Sequence, residues 1–203
     1  MATTEKLDLY KQHKDEYVTP KRPTLVKIGP AKYLTIEGRG EPGGAAFQTR
    51  LGALYAAAFT IKMTSKFAGC DYAVCKLEGL WWADDGGCDF ASTLKDQWRW
   101  KLMIRTPDFI RQRQLDEAIA VLKAKGKDPA VADVKLETLK EGRCVQMLHV
   151  GSYDAEAATI AAISAFAQQQ GLAFRGRHHE IYLSDPRRVA PEKLRTILRH
   201  PAA

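Results

Sequence analysis

The chain has 203 residues, of which 45% are hydrophobic and 27% charged, an ordinary globular balance that excludes a disordered segment. Its net charge of +7 divides into +3 over residues 1–32 and +4 over residues 175–203, leaving 33–174 neutral. The excess therefore sits at the two ends, which argues against nucleic acid as the partner despite a basic pI. The opening MATTEKLDLYKQHKDEY lacks the apolar stretch of a secretory signal. No apolar run approaches the ~18–20 residues that cross a bilayer. Cys70, Cys75, Cys88 and Cys144 show no C-x-x-C pairing, which predicts reduced, mostly buried thiols and a cytoplasmic location.

Residues 1–24 are polar, lack an apolar period and end in Pro20 and Pro23. They read as an N-terminal arm with at most one helical turn, too short for a helix-turn-helix reader of DNA. The domain itself takes residues 25–203. TLVKIGPAKYLTIEGRG follows as β structure, with Leu34 and Ile36 alternating against Tyr33, Thr35 and Glu37. In AAFQTRLGALYAAAFTIKM, Phe47, Leu51, Leu54, Tyr55 and Ala58 share a helical face. Strands are expected at 72–82 and 98–105, separated by the acidic turn ADDGGCD. Thr106 and Pro107 then suit the start of a helix whose stripe is Leu115, Ala118, Ile119 and Leu122, stopped by Gly126. Residues 134–139 and 144–150 read as a strand pair turning at Glu141-Gly142. A helix capped by Ser152 or Asp154 runs to Gln170, 177–183 is a strand, and 190–199 reads as a short closing helix.

Two stretches correspond. YLTIEGRG, an Ala-rich helix and CKLEGLWW match VQMLHVGSY, an Ala-rich helix and HHEIYLSD. Each is strand, glycine turn, amphipathic helix, then a strand with an acid followed by aromatics. The expected architecture is α+β: two βαββ-type repeats, about 25–105 and 132–199, related by a pseudo-twofold. They form one antiparallel sheet with helices on one face and a ligand groove on the other. Chance likeness of two ordinary β-α-β segments is the alternative.

Several motifs carry less than their letters suggest. Gly38-Arg39-Gly40-Glu41-Pro42-Gly43 matches G-x-G-x-x-G, but FTIKMTSKF offers no acid where a ribose would be held. It reads as a flexible strand-to-helix turn, and no cofactor is expected. His178 and His179 point to opposite faces of a strand and no third ligand sits at zinc-like spacing, so no metal site is expected. Asp84, Asp85 and Asp89 lack the register of a calcium loop.

The acids with aromatic neighbours say more. Glu180 shares a strand face with His178 and Tyr182, with Ile181 and Leu183 turned toward the helices. Glu78 lies with Leu80 and Trp82, while Trp98 and Trp100 share a face of the next strand. Such a face suits a groove that stacks a flat or cationic molecule against an acid. Tryptophans in the core and glutamates salt-bridged at an edge are the alternative.

YLTIEGRG, KLEGLWW and above all HHEIYLSDPRRVAPEKLRTILR resemble the GyrI-like small-molecule-binding family in its stand-alone bacterial branch, over nearly the whole chain beyond residue 24. The resemblance implies binding of bulky aromatic or cationic compounds. Its acid-bearing strand matches HHEIYL, which carries the charge-meeting role to Glu180. Some members of this branch are cyclopropanoid hydrolases, which open the cyclopropane of DNA-alkylating drugs with water. That chemistry would use Glu180 or Glu78 as base, the division of acid and base between them being open, and Tyr182 or another donor on the carbonyl. Trp82, Trp98, Trp100, His178 and Tyr153 would line the ligand. Two rivals stand beside this reading: a drug-sequestering or sensing module without chemistry, and a gyrase- or DNA-interaction factor. The natural ligand and the oligomeric state are not legible.

Overall fold

The computed structural model describes residues 6–83 and 94–203. The acidic turn with Asp84, Asp85 and Asp89 lies outside the described residues. Among those described, eight strands form one antiparallel sheet: β1 (Thr24–Ile28), β2 (Ala31–Arg39), β3 (Leu77–Trp82), β4 (Arg99–Thr106), β5 (Lys135–Leu139), β6 (Gly142–Val150), β7 (His178–Tyr182) and β8 (Arg195–Pro201). Their order is β1-β6-β8-β7-β3-β4-β2-β5. It is symmetric about the β7–β3 seam, with β2-helix-β3-β4 on one side and β6-helix-β7-β8 on the other. This is the doubled βαββ arrangement expected from sequence. The edges are exchanged: β1 precedes the first unit but pairs with β6 of the second, and β5 precedes the second but pairs with β2 of the first.

Three helices cover one face: α2 (Ala45–Phe67), α3 (Gln112–Ala124) and α4 (Ala157–Gln169), a fourth, α1 (Leu9–Gln12), belonging to the N-terminal segment. The alternation in β2 sends Leu34 and Ile36 under α2, where they join Leu54, Ala57, Ile61, Leu102 and Ile104 in the larger core. Val145 and Leu198 pack under Ile163 and Ala167 of α4 in a second core. Burying the leucine, isoleucine and valine side chains among these contributes about 1.5–3 kcal/mol each. Gly38 belongs to this packing rather than to a nucleotide loop. A Cβ there would lie 2.1 Å from the Trp100 ring, so the absent side chain makes room for a tryptophan.

Several sequence expectations need correction. The closing helix at 190–199 is a 3-10 turn followed by β8, a central strand buried on both faces, whose residues therefore show no one-sided alternation. The pair 134–139 and 144–150 does form two strands, yet they bond to opposite ends of the sheet rather than to each other. The third helix starts at Gln112 rather than at Pro107, because Pro107–Ile110 closes a turn first. The α4 helix is preceded by a 3-10 turn at Tyr153–Ala155, with Glu156 rather than Ser152 or Asp154 at its N-cap position. The N-terminal segment is folded onto the sheet: the Asp8 side chain caps α1, and Tyr17 is buried with Ile181 and Ile197 on the face opposite the helices.

Candidate functional site

Residues paired directly across antiparallel strands project from the same face. Glu180 of β7 pairs with Gly79 of β3 and with Leu198 of β8, and Leu198 lies beneath α4. Glu180, His178 and Tyr182 therefore face the helices, at the seam between the two units. Ile181 points the other way, into the patch with Tyr17. This reverses the sequence expectation, which turned Ile181 and Leu183 toward the helices.

Around Glu180 the two units supply different parts. The Tyr182 hydroxyl accepts a hydrogen bond from the indole of Trp81 at 3.1 Å and lies beside Glu180. Burial and then the negative charge of Glu180 push this phenol well above its ordinary range. Gly79 is required below them, since a Cβ there would come within 3.0 Å of both Trp81 Nε1 and the Tyr182 hydroxyl. Phe47 of α2 stacks on Trp81 at 6.2 Å, and Trp98 meets Trp81 edge-on at 5.9 Å. From the second unit, Tyr153 meets Tyr182 edge-on at 5.8 Å and is 40% exposed, at the rim.

Beneath this rim lies a group of buried titratable residues. Glu156 leads into α4 and is only 6% exposed, as is Glu180, while His178 is 3% exposed. Donor atoms of Glu156, His178 and Glu180 all lie within 4.8 Å of one another, a spacing that can hold a metal ion. His178 Nε2 is 3.5 Å from Glu180 Oε1. Glu156 Oε1 is buried without a hydrogen-bond partner. Burial first, then the charges of Glu180 and Asp154, raise the Glu156 carboxyl from 4.5 to about 10. At neutral pH it keeps its proton.

Glu78 belongs to the other face. It is fully engaged there, accepting from the Tyr17 hydroxyl at 3.1 Å and contacting His179 Nε2 at 2.9 Å. His179 Nδ1 reaches Glu141 at 2.9 Å, and Arg199 pairs with Glu141 at 3.0 Å. Arg105 joins Tyr17 and Glu16. Burial alone would strip the His179 proton, but Glu141 and Glu78 on either side outweigh it and hold its pKa up to about 9. Three carboxylates are matched by two arginines and this histidinium, under the N-terminal segment. Glu78 is thus separated from Glu180 by the sheet, and the two do not share a groove.

The tryptophans divide in the same way. Trp82 faces away from the helices, under the guanidinium of Arg177 at 3.5 Å from the ring centroid. Trp100 is fully buried in the core and donates to the Gly40 carbonyl at 3.1 Å. Trp98 reaches the helix-side aromatics, and Trp81, which sequence reasoning did not single out, is their centre. Glu156 was also missed. An acid at a helix start is an ordinary capping residue, and no spacing links it to HHEIY. A cleft of about 280 Å³ opens on the helix-free face, with Lys101, Lys140, Arg175 and Arg177 in its lining against Glu137 and Glu141. Its basic lining repels a cation, so it is not the counterpart of the acid site.

The sequence matches the GyrI-like small molecule binding domain over residues 21–202. No curated protein is found to match the chain. Among solved structures, it is similar to an uncharacterized conserved protein from Listeria innocua, at 37% identity and TM-score 0.90, covering 98% of this chain and 100% of that one. It is likewise similar to a hydrolase encoded by lin2189 from the same organism, at 38% identity and TM-score 0.88, with the same coverage. The EcmrR C-terminal domain shares the fold at 10% identity and TM-score 0.58, covering 90% of this chain and 97% of that one.

Proposed function

The chain belongs to the GyrI-like small-molecule-binding family, and from that premise we propose that it binds bulky planar or cationic aromatic molecules at the seam between α2 and α4. The observation that carries this reading is the buried acid pair, Glu156 and Glu180, beneath Trp81, Trp98, Tyr153 and Tyr182. Among the described residues, no Lys or Arg is ion-paired to either acid. A flat ring gains stacking from the aromatics, and a positive charge on it gains from Glu180 in a region of low dielectric.

Catalysis is the second part of the proposal, supported by the hydrolase among the relatives. Glu180 takes a proton from water. The water oxygen then bonds to the cyclopropane methylene, and the ring C–C bond breaks. Its electron pair passes into the conjugated carbonyl, whose oxygen becomes a phenolate and picks up a proton, so that the net change is addition of one water.

Incubation with a cyclopropanoid drug, followed by mass spectrometry, tests the chemistry. The expected product carries the mass of one added water, and Glu180→Gln abolishes it. Tight binding without turnover would leave a binding module alone. Cytoplasmic detoxification of such drugs is the cellular role this activity would serve.

A further inference from the structure

The cleft on the helix-free face has no part in the proposed function, and its chemistry is the opposite of that at the seam. Its volume of about 280 Å³ lies just below the usual range for drug-sized ligands, so its occupant is small. Tyr33, Leu80, Met103 and Leu139 supply its floor, as members of a small apolar cluster that also holds Ala31 and Trp82. Two acids lie in the lining, and both are already matched. Glu137 takes Lys101 at 2.7 Å and the Thr35 hydroxyl at 2.6 Å, and Glu141 takes His179 and Arg199. That leaves Lys140, Arg175 and Arg177, none of them ion-paired to an acid among the described residues. Two of the three are fixed by neutral partners. Arg175 donates through Nη2 to the Glu141 backbone carbonyl, and the Arg177 guanidinium lies 3.5 Å from the centroid of the Trp82 ring. A carbonyl and a ring face orient a guanidinium without cancelling its charge, and stacking leaves its in-plane N–H donors for another partner. Lys140, in the turn between β5 and β6, is exposed and adds a charge on a flexible stem. Arg175 and Arg177 also belong to the +4 carried by residues 175–203, so part of the excess charge of the sequence converges on a concavity.

We propose that this cleft is a second ligand site, for a planar aromatic carboxylate whose ring covers the apolar floor and whose charge meets Arg175, Arg177 and Lys140. Guanidinium groups offer a carboxylate paired N–H donors in its own plane, and the floor removes the ring from water. A cation is repelled by the three unmatched charges. A phosphate dianion would bring a second negative charge toward Glu137 and Glu141, so a single charge fits the lining better. The sheet separates this cleft from the seam, the two ligands carry opposite charge, and the inference does not rest on the reading of the seam.

The test is amide NMR titration of the full chain with naphthoate, uncharged naphthamide and naphthyl phosphate. Naphthoate is expected to bind saturably and to shift the amides of Lys140, Glu141, Arg175 and Arg177, leaving those of Tyr153 and Glu156 at the seam in place. Naphthamide should bind on the order of tenfold to a hundredfold more weakly, having lost the charge-assisted hydrogen bonds. Arg177→Gln should weaken naphthoate about tenfold and leave naphthamide nearly unchanged. Equal affinities for the acid and the amide in the wild type overturn the proposal, and so does the absence of saturable binding by naphthoate. Shifts confined to the seam overturn it by moving the anion to the other face. Tighter binding of naphthyl phosphate than of naphthoate overturns the choice of a singly charged ligand. Because acid and amide are compared on the wild type, the result is decisive even where the variant fails to fold.

Discussion

Replacing Glu156 by Gln should stabilise the protein, and by an amount that depends on pH. The Glu156 carboxyl is raised in the fold from its ordinary 4.5 to about 10, through burial and then the charges of Glu180 and Asp154. An acid with a folded pKa above its unfolded one contributes fully below the unfolded value, and loses that contribution as pH rises toward the folded one. At pH 7 the unfolded chain has shed a proton that the folded chain must retain, which costs about 3 kcal/mol. The figure depends only on the folded pKa lying above 7, because it is set by the distance from 4.5. At pH 5 the same cost is about 1 kcal/mol. Gln has the shape of the protonated acid and carries no such cost. Relative to wild type, Glu156→Gln should therefore gain about 2 kcal/mol between pH 5 and pH 7, or about 4–8 °C in Tm for a chain of this size. Urea unfolding of both proteins at both pH values measures this directly, without any ligand. A stability difference unchanged within about 0.5 kcal/mol across that interval would show that Glu156 is ionised in the fold, and would refute the reasoning.

Three further outcomes are expected. Glu180→Gln should weaken binding of a fixed-charge aromatic cation on the order of tenfold to a hundredfold and leave a neutral analogue of the same shape nearly unaffected, as fluorescence titration would show; equal losses for both would remove Glu180 as the charge partner. Gly38→Ala should cost about 1–3 kcal/mol by urea unfolding, because its Cβ would lie 2.1 Å from the Trp100 ring; a neutral effect would mean that Trp100 repacks freely. In a Glu156→Gln background, stability should decline by about 2 kcal/mol from pH 6 to 8.5 through His179. Burial lowers the pKa of this base, but Glu141 and Glu78 raise it further, to about 9, so its contribution is complete below 6.5 and lost through 9. A flat profile over that range would contradict it.

The sequence carried the architecture further than the site. Amphipathic periods in α2 and α3 and the alternation in β2 are local signals, and the structure follows them. The strand β8 hid its nature because both of its faces are buried: Thr196, Ile197, Leu198, Arg199 and His200 are all below a tenth exposed, so no apolar period separates inside from outside. The site itself hinged on register. A shift of one residue moves every side chain of a strand to the other face, and this is the difference between Trp82, under Arg177, and Trp81, at the centre of the aromatic cluster. Local pattern also places Glu78 and Glu180 in equivalent positions, each an acid followed by aromatics. Only long-range pairing reveals that one lies under the N-terminal segment and the other between the helices. Glu156 had no local signal, since its meaning comes from facing a strand more than twenty residues later.

The symmetric sheet explains why the two acids ended on opposite faces. A twofold axis through the directly opposed pair Gly79 and Glu180 matches LEGLW to HHEIY, aligning Glu78 with His179, Leu80 with Ile181 and Trp81 with Tyr182. Two of these equivalent pairs are also bonded to each other, Glu78 to His179 at 2.9 Å and Trp81 to Tyr182 at 3.1 Å. Near such an axis each residue meets its own counterpart, so a difference between the two halves becomes a contact within the site. On the helix-free face the difference is acid against base, and the charges cancel with the help of Glu141 and Arg199. On the helix face it is glycine against acid. Gly79 leaves space over which Tyr182 and Trp81 close, and Glu180 supplies a charge with no basic counterpart across the seam. The second half then adds Glu156 to this acid rather than a base. A charge balance completed on one face and left open on the other is the difference on which the proposed ligand site at the seam rests.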